Sequence, residues 1–353
     1  VTTRLGIDLI ETSNRLFVGR PGLYADRAAN FAIQNADFIL SVGARLDTGI
    51  VGYDANDWGR NAFKVSVDID KKELEKPGAA LDLAINCDAK IFLQEFIKTS
   101  SLDILNKYDD WITVCNKWRE KYPMVLPNYK KQKLVNSYYF SEKLSELAKP
   151  NDVVLIDTSS IFHVASQTWK IKKGQRFLTT GGISTMGYWP AGIGASFASG
   201  ERTIIITGDG SLQMNIQELA TVKQSKLPIK IFVINNGGYL LIRHTQKTHL
   251  GSRFMGESPK SGLFCPNLES IAKAYSLRFV KIESTKGIDE KITKVLSGND
   301  PVVCEVLSPA WQLVIPRVAS ERRPDGSFVS RPYEDLFPFL PKAELEKNTI
   351  AKK

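Results

Sequence analysis

Six nearly unbroken apolar runs, at 38–42, 63–68, 153–157, 203–207, 230–234 and 302–306, recur along the chain. A strand buried on one face alternates apolar and polar side chains. A strand buried on both faces reads as a continuous apolar stretch bounded by turn residues. Segments with helical spacing, at 24–36, 109–121, 215–226 and 268–275, accompany these runs. The expected fold class is therefore α/β, with two doubly wound domains and mainly parallel sheets. A length of 353 residues suits two such domains.

The boundary is expected between about 100 and 137. There an amphipathic helix carrying Trp111, Val114, Cys115 and Trp118 leads to Pro123 and Pro127, which cannot continue it. The predicted organisation is a truncated first domain over 1–100, a helix and linker over 101–136, a second domain over 137–315 and a tail over 316–353. The chain begins at Val1, and its first residues already read as the interior of a domain.

Composition excludes several classes. With 43% hydrophobic and 24% charged residues, wholesale disorder is excluded. No run reaches the roughly 20 apolar residues that span a bilayer, so no membrane partner is expected. Cys87, Cys115, Cys265 and Cys304 are scattered without CxxC spacing, and no leader precedes them, so a cytoplasmic location is expected. The net charge of +9 comes from lysines and arginines spread along the chain. That spread argues against nucleic acid and for small anionic ligands such as phosphates and carboxylates.

The segment Thr207-Gly208-Asp209-Gly210-Ser211 follows one predicted strand, with a helix expected from about Asn215. Ligands of parallel α/β sheets bind at the carboxyl ends of strands. Glycines there let backbone approach a diphosphate, and a helix N-terminus supplies N–H groups. A bare Asp209 would repel phosphate unless a divalent cation lies between them. A plain strand–helix turn is the alternative. The strand at 230–234 ends in Asn235-Asn236-Gly237-Gly238, with 24 residues between Gly210 and Asn235. That gap holds one helix and one strand, so two polar strand ends lie side by side. The Asp209 carboxylate, the Asn236 amide oxygen and the Gly238 carbonyl form an oxygen set suited to Mg²⁺. The alternative for Asn-Asn-Gly-Gly is a hairpin turn, yet no strand-like partner follows in 239–244.

These paired motifs resemble the cofactor signature of thiamine diphosphate (ThDP) enzymes. The runs 208–221 and 180–188 are similar to the acetolactate synthase-like branch, as are Gly19-Arg20-Pro21-Gly22, the stretch 37–47 and Val67-Asp68-Ile69-Asp70. The resemblance covers about 1–315. It implies that Asp209, Asn236 and Gly238 hold Mg²⁺, and that Gly208, Gly210 and Ser211 meet the diphosphate. It implies too that Met186 supports the bent cofactor and that the Ser184 carbonyl accepts from its aminopyrimidine. Ser160 falls where the family approaches the diphosphate. The implied reaction is decarboxylation of a 2-oxo acid such as pyruvate, with transfer of the remaining unit to an acceptor carbonyl. The cofactor carries that chemistry while the protein supplies position and electrostatics.

The chain departs from the family in three places. The domain that supplies the pyrimidine-activating glutamate is expected to lie outside this chain. No glutamate of this chain is assigned that role, so this chain alone is expected to be inactive and to need the missing domain or a homo-oligomeric partner. Where the synthases carry a tryptophan–acid pair, this chain has Thr245-Gln246, preceded by Leu241, Arg243 and His244. Leu241 and Thr245 are the substrate-facing candidates, Arg243, His244 and His249 lesser ones, and a keto-sugar acyl transferase stands as the alternative reaction. Arg45, Asp68 and Asp88 match positions near a flavin, but Cys87 and Asp47-Thr48-Gly49 depart from the pattern, so FAD stays open. A non-catalytic ThDP-binding fragment is a further alternative. An NAD-dependent dehydrogenase would need a complete Gly-x-Gly-x-x-Gly after a strand. The spacing around Gly192-Ile193-Gly194 does not provide it.

Overall fold

The computed structural model describes residues 1–100, 107–180 and 185–350. They form two compact units. The first comprises Val1–Leu9, Asn14–Met124 and Ile315–Lys353, and the second Ile10–Ser13 and Val125–Val314. No helix among the described residues is long and apolar enough to cross a membrane.

In the first unit α1 (Arg27–Asn35) precedes β1 (Phe38–Val42). Then come α2 (Thr48–Val51), β2 (Phe63–Asp68), α3 (Lys71–Glu75), β3 (Leu83–Asn86), α4 (Ala89–Thr99) and α5 (Asp109–Lys121). The strands form a parallel sheet in the order β1-β2-β3. Helix α5 lies against α1, with Phe31 and Trp118 ring centroids 5.5 Å apart.

The segment 316–353, read from sequence as a separate tail, belongs to this first unit. It brings Val318, Tyr333 and Leu336 into a core with Ala25, Ile33, Ile39 and Trp58. Polar side chains of α1 pin its backbone. Asn30 Nδ2 donates to the Tyr333 carbonyl at 2.8 Å and Arg27 Nη1 to the Leu336 carbonyl at 3.0 Å. Apolar and polar residues of the tail thus have partners that its proline-rich local sequence does not reveal.

The second unit contains α6 (Ser137–Leu147), β4 (Val153–Ile156), α7 (Ser160–Thr168), β5 (Arg176–Thr179), α8 (Ala191–Ser199) and β6 (Thr203–Gly208). It continues with α9 (Asp209–Gln213), α10 (Leu219–Ser225), β7 (Ile229–Asn235), α11 (Leu240–His249), α12 (Leu268–Ala274), β8 (Arg278–Ile282), α13 (Ile288–Leu296) and β9 (Val302–Leu307). Its six strands are all parallel, in the order β5-β4-β6-β7-β9-β8. Both units are α/β with parallel sheets. Leu155, Ile205, Ile231, Val233 and Val303 from the central strands pack against Leu212, Leu219, Val222 and Ala272 from the covering helices.

After β4 the chain runs outward to β5, then returns to place β6 on the other side of β4. Strand order therefore reverses between β4 and β6, the kind of crevice where open α/β sheets bind ligands. The motif beginning at Gly208 lies at one wall of that crevice.

Candidate functional site

Gly208 closes β6 and caps the single turn α9, whose first residue is Asp209. This turn is separate from the helix expected from about Asn215, which forms as a 3-10 turn over Ile216–Glu218 followed by α10. The Asp209 carboxylate is buried. Its Oδ1 accepts from the Gly210 N–H at 2.9 Å, and its Oδ2 accepts from the Gly238 N–H at 2.8 Å, reaching across to the loop after β7. Burial raises its pKa from 3.8 to about 6, against the lowering effect of those N–H donors and of the positive Arg243. Among the described residues no cationic side chain forms an ion pair with this carboxylate, and its close partners are backbone N–H groups.

The two asparagines after β7 divide the work. Asn235 is structural: its Nδ2 donates to Glu305 Oε1 at 2.7 Å, and its Oδ1 accepts from the Gly237 N–H at 3.1 Å. Asn236 is buried, and among the described residues its Oδ1 has no hydrogen-bond partner. An orphaned buried amide oxygen costs about 1–3 kcal/mol unless something fills it. Asn236 Oδ1 and the Asp209 carboxylate are both hard oxygen donors, and the Gly238 N–H bond to Asp209 ties their two loops together. This donor chemistry fits Mg²⁺.

The glycines do different jobs from one another. A Cβ on Gly210 would lie 2.2 Å from the Tyr239 ring, so that glycine makes room for Tyr239 rather than for a ligand. Gly238 has φ +123°, and its Cβ would fall 2.1 Å from the Glu257 carbonyl oxygen. Gly208 has φ −93°, open to any residue, and its Cβ would meet only Ile161 at 3.5 Å. Among the described residues nothing requires glycine at 208, so that side of the loop has room for a ligand.

Ser211 corrects an expectation. Its hydroxyl donates to Asp157 Oδ2 at 2.6 Å and accepts from the Gly187 N–H at 2.7 Å, so it is spent inside the protein. Asp157, which the motif reading missed, is the hub. It is fully buried at the end of β4 and takes four bonds: Thr207 Oγ1 at 2.7 Å, Ser211 Oγ at 2.6 Å, Thr158 N–H at 2.8 Å and Tyr188 N–H at 3.2 Å. Both walls of the crevice and the 186–188 turn are thereby joined. Its only signal in the sequence is an acidic residue ending an apolar run.

Met186 is half-buried in that turn. The turn is tied to the motif by Ser211 and by Asn215 Nδ2, which donates to the Gly187 carbonyl at 2.6 Å. Ser184 lies outside the described residues. Ser160 is buried as the first residue of α7, at the facing strand end. Ser159 before it has φ +72° and ψ −146°, a costly backbone for a non-glycine residue and one concentrated at functional sites.

On α11, Leu241 is half-buried and Thr245 exposed. His249 is exposed near the end of the helix, and His244 stacks on Trp311 with centroids 6.1 Å apart. Arg243 is buried and bonded to Glu257, so it does not face a substrate. In the first unit, Arg45 pairs with Glu73 at 2.9 Å, Asp68 accepts from the Asp70 N–H, and Asp88 caps α4. These three positions are engaged in local structure.

Two family models match the chain: the thiamine pyrophosphate enzyme central domain over residues 1–96 and the C-terminal TPP binding domain over residues 157–306. The chain is 31% identical over 327 residues to the acetolactate synthase large subunit of Cyanidium caldarium, covering 90% of this chain and 54% of that protein. It is 29% identical to the acetolactate synthase large subunit of Lactococcus lactis, covering 90% and 54% of the two chains. It is 28% identical to the acetolactate synthase isozyme 2 large subunit of Escherichia coli, covering 89% and 56%. The chain thus spans about half the length of the curated relatives it matches. It carries the central and C-terminal domains of a thiamine pyrophosphate enzyme and belongs to that family.

Proposed function

We propose that the chain forms the central and diphosphate-binding parts of a ThDP- and Mg²⁺-dependent carboligase that decarboxylates a 2-oxo acid and joins the remaining unit to an acceptor carbonyl. The observation that carries this reading is the pairing of a buried carboxylate without an ion-pair partner, Asp209, with a buried amide oxygen without a hydrogen-bond partner, Asn236 Oδ1, among the described residues.

In this reading Asp209, Asn236 and the Gly238 carbonyl hold Mg²⁺, which neutralises the diphosphate. ThDP, when bound, supplies the electron sink that 2-oxo acid decarboxylation requires. The protein's share is positional. Asp157 fixes Ser211 and the 186–188 turn, and so sets where Met186 supports the cofactor. Ser160 offers a hydroxyl from the facing strand end, and Gly208 leaves its side of the crevice open to phosphate. Leu241 and Thr245 lie on α11, directly after the cation loop, where an acceptor would be selected.

The test is CO₂ release from pyruvate and other 2-oxo acids with ThDP and Mg²⁺, with and without a second chain supplying the remaining half of the relatives' length. Release that appears on complementation and disappears in Asp209→Ala supports the carboligase. Tight cofactor binding with no release under any complementation favours a non-catalytic ThDP-binding role.

A further inference from the structure

A buried ion pair stands directly behind the Asn236–Tyr239 loop. Arg243, in the first turn of α11, is 3% exposed, and Glu257 is 4% exposed. The guanidinium distributes its donors: Nε to Glu257 Oε2, Nη1 to the carbonyls of Ala310 and Asn236, the latter at 3.4 Å, and Nη2 to the carbonyls of Gly237 at 3.0 Å and Glu257 at 3.3 Å. The Trp311 ring covers it, 5.5 Å from the guanidinium carbon.

Glu257 grips the same loop from its other end. Its carbonyl accepts the Tyr239 N–H at 2.8 Å and fills the space beside Gly238. Its carboxylate is in turn held by the hydroxyls of Ser258 at 2.6 Å and Ser261 at 3.2 Å. Residues 236 and 237 are thus fixed through Arg243, and 238 and 239 through Glu257.

A buried charge is retained only where geometry and further hydrogen bonds repay its desolvation. Here a charged pair has been placed against four consecutive residues of one loop, and an apolar pair of equal volume would have filled the space more cheaply. What the pair adds is rigidity of that loop. Arg243 also brings positive charge near Asp209, where it favours the carboxylate form. A planar guanidinium is also the one side chain that can serve a carboxylate and several carbonyls at once; an ammonium cannot span them.

We propose that Arg243 and Glu257 are positioning residues for the cation site, fixing the backbone from which Asn236 Oδ1 and the Gly238 carbonyl are presented. The inference rests on the reading of Asp209 and Asn236 as cation-holding residues. Residues behind metal ligands typically change metal affinity by about 10–100-fold when replaced.

The test is calorimetric titration of Mg²⁺ into the chain at saturating ThDP, with thermal melting measured in parallel, for wild type, Arg243→Met and Arg243→Lys. Arg243→Met is expected to weaken Mg²⁺ binding by about 10–100-fold, and Arg243→Lys to leave most of that loss in place. A merely structural role would lower the melting temperature while the folded protein kept wild-type Mg²⁺ affinity. That result in either folded variant overturns the proposal. Should Arg243→Met not fold, the double replacement Arg243→Met with Glu257→Leu leaves no unpaired buried charge. It is expected to fold and to bind Mg²⁺ as weakly, and wild-type affinity there overturns the proposal equally. Absence of Mg²⁺ binding to the wild type removes the cation-site reading itself, a different failure from a variant that binds normally.

Discussion

Parallel strands end in glycine- and aspartate-bearing loops in both units, but the two sets of loops spend their polar groups differently. In the first unit the acids serve their own turn. Asp47 accepts from the Gly49 N–H, Asp68 from Asp70, Asp70 from Lys72 and Asp88 from Lys90, each two residues along the chain. In the second unit Asp209 reaches Gly238, and Asp157 reaches Tyr188, Thr207 and Ser211. Acids of the first kind are helix caps and turn-formers, satisfied before any tertiary structure exists. Acids of the second kind are satisfied only by the assembled sheet, and Asp209 keeps charge in reserve. A strand-end acid indicates a ligand when it is buried and still uncompensated.

The contrast predicts a graded set of effects. Gly238→Ala should be the most damaging, because a positive φ and a backbone oxygen 2.1 Å from the new Cβ leave no room to relax. A loss of about 2–4 kcal/mol in denaturant unfolding is expected, with loss of cation binding. In the first unit Gly43 has φ +59° but nothing within 4 Å of its Cβ, so Gly43→Ala should cost only about 1 kcal/mol. Equal losses at the two positions would break the comparison.

The pH response of Asp209 comes next. Its folded pKa of about 6 lies above its ordinary value of 3.8, so its contribution to stability is complete below about 4 and is lost as pH rises through 6. Cation-free protein should therefore lose on the order of 2–3 kcal/mol across that window through this group. Asp209→Asn should flatten that part of the stability profile. Mg²⁺ binding should run the other way, strengthening from pH 5 to pH 7 as the proton leaves. A pH-independent Mg²⁺ affinity over that range would contradict the assignment.

Gly208→Ala sharpens the difference between packing and binding. The protein tolerates a methyl group there, so melting should shift by less than about 0.5 kcal/mol equivalent while ThDP binding weakens about 10-fold or more. Unchanged binding would mean that the diphosphate does not approach Gly208. The smallest effect on the site is expected at Asp88→Ala, which removes the α4 cap at a stability cost of about 1 kcal/mol and leaves ThDP binding untouched.

Legibility in the sequence followed burial. The apolar runs at 63–68, 203–207 and 302–306 correspond to the interior strands β2, β6 and β9, and the run at 38–42 to β1, a partly covered sheet edge whose apolar sequence still showed it. In the two parallel sheets the strands that the reading overlooked, β3, β5 and β8, are all edges. Leu83–Asn86 is largely exposed, and Arg176–Thr179 and Arg278–Ile282 each begin with an exposed arginine, so none shows an unbroken apolar run. The Asp209 and Asn236 motifs were legible because their spacing encodes one crossover of the sheet. The occupation of the Ser211 hydroxyl, the hub role of Asp157 and the burial of Arg243 were not, since the side chains they pair with lie at least 14 residues away in sequence and become neighbours only on folding.

The central claim is that the strand-end crevice of the second unit is a cation-dependent diphosphate site. Calorimetric titration of ThDP into the chain, with and without Mg²⁺ and beside Asp209→Ala, tests it most directly. Saturable binding that requires Mg²⁺ and falls by at least about 100-fold in Asp209→Ala is predicted, as expected for loss of a charged metal ligand. Binding that persists without Mg²⁺, or that Asp209→Ala leaves intact, would contradict it.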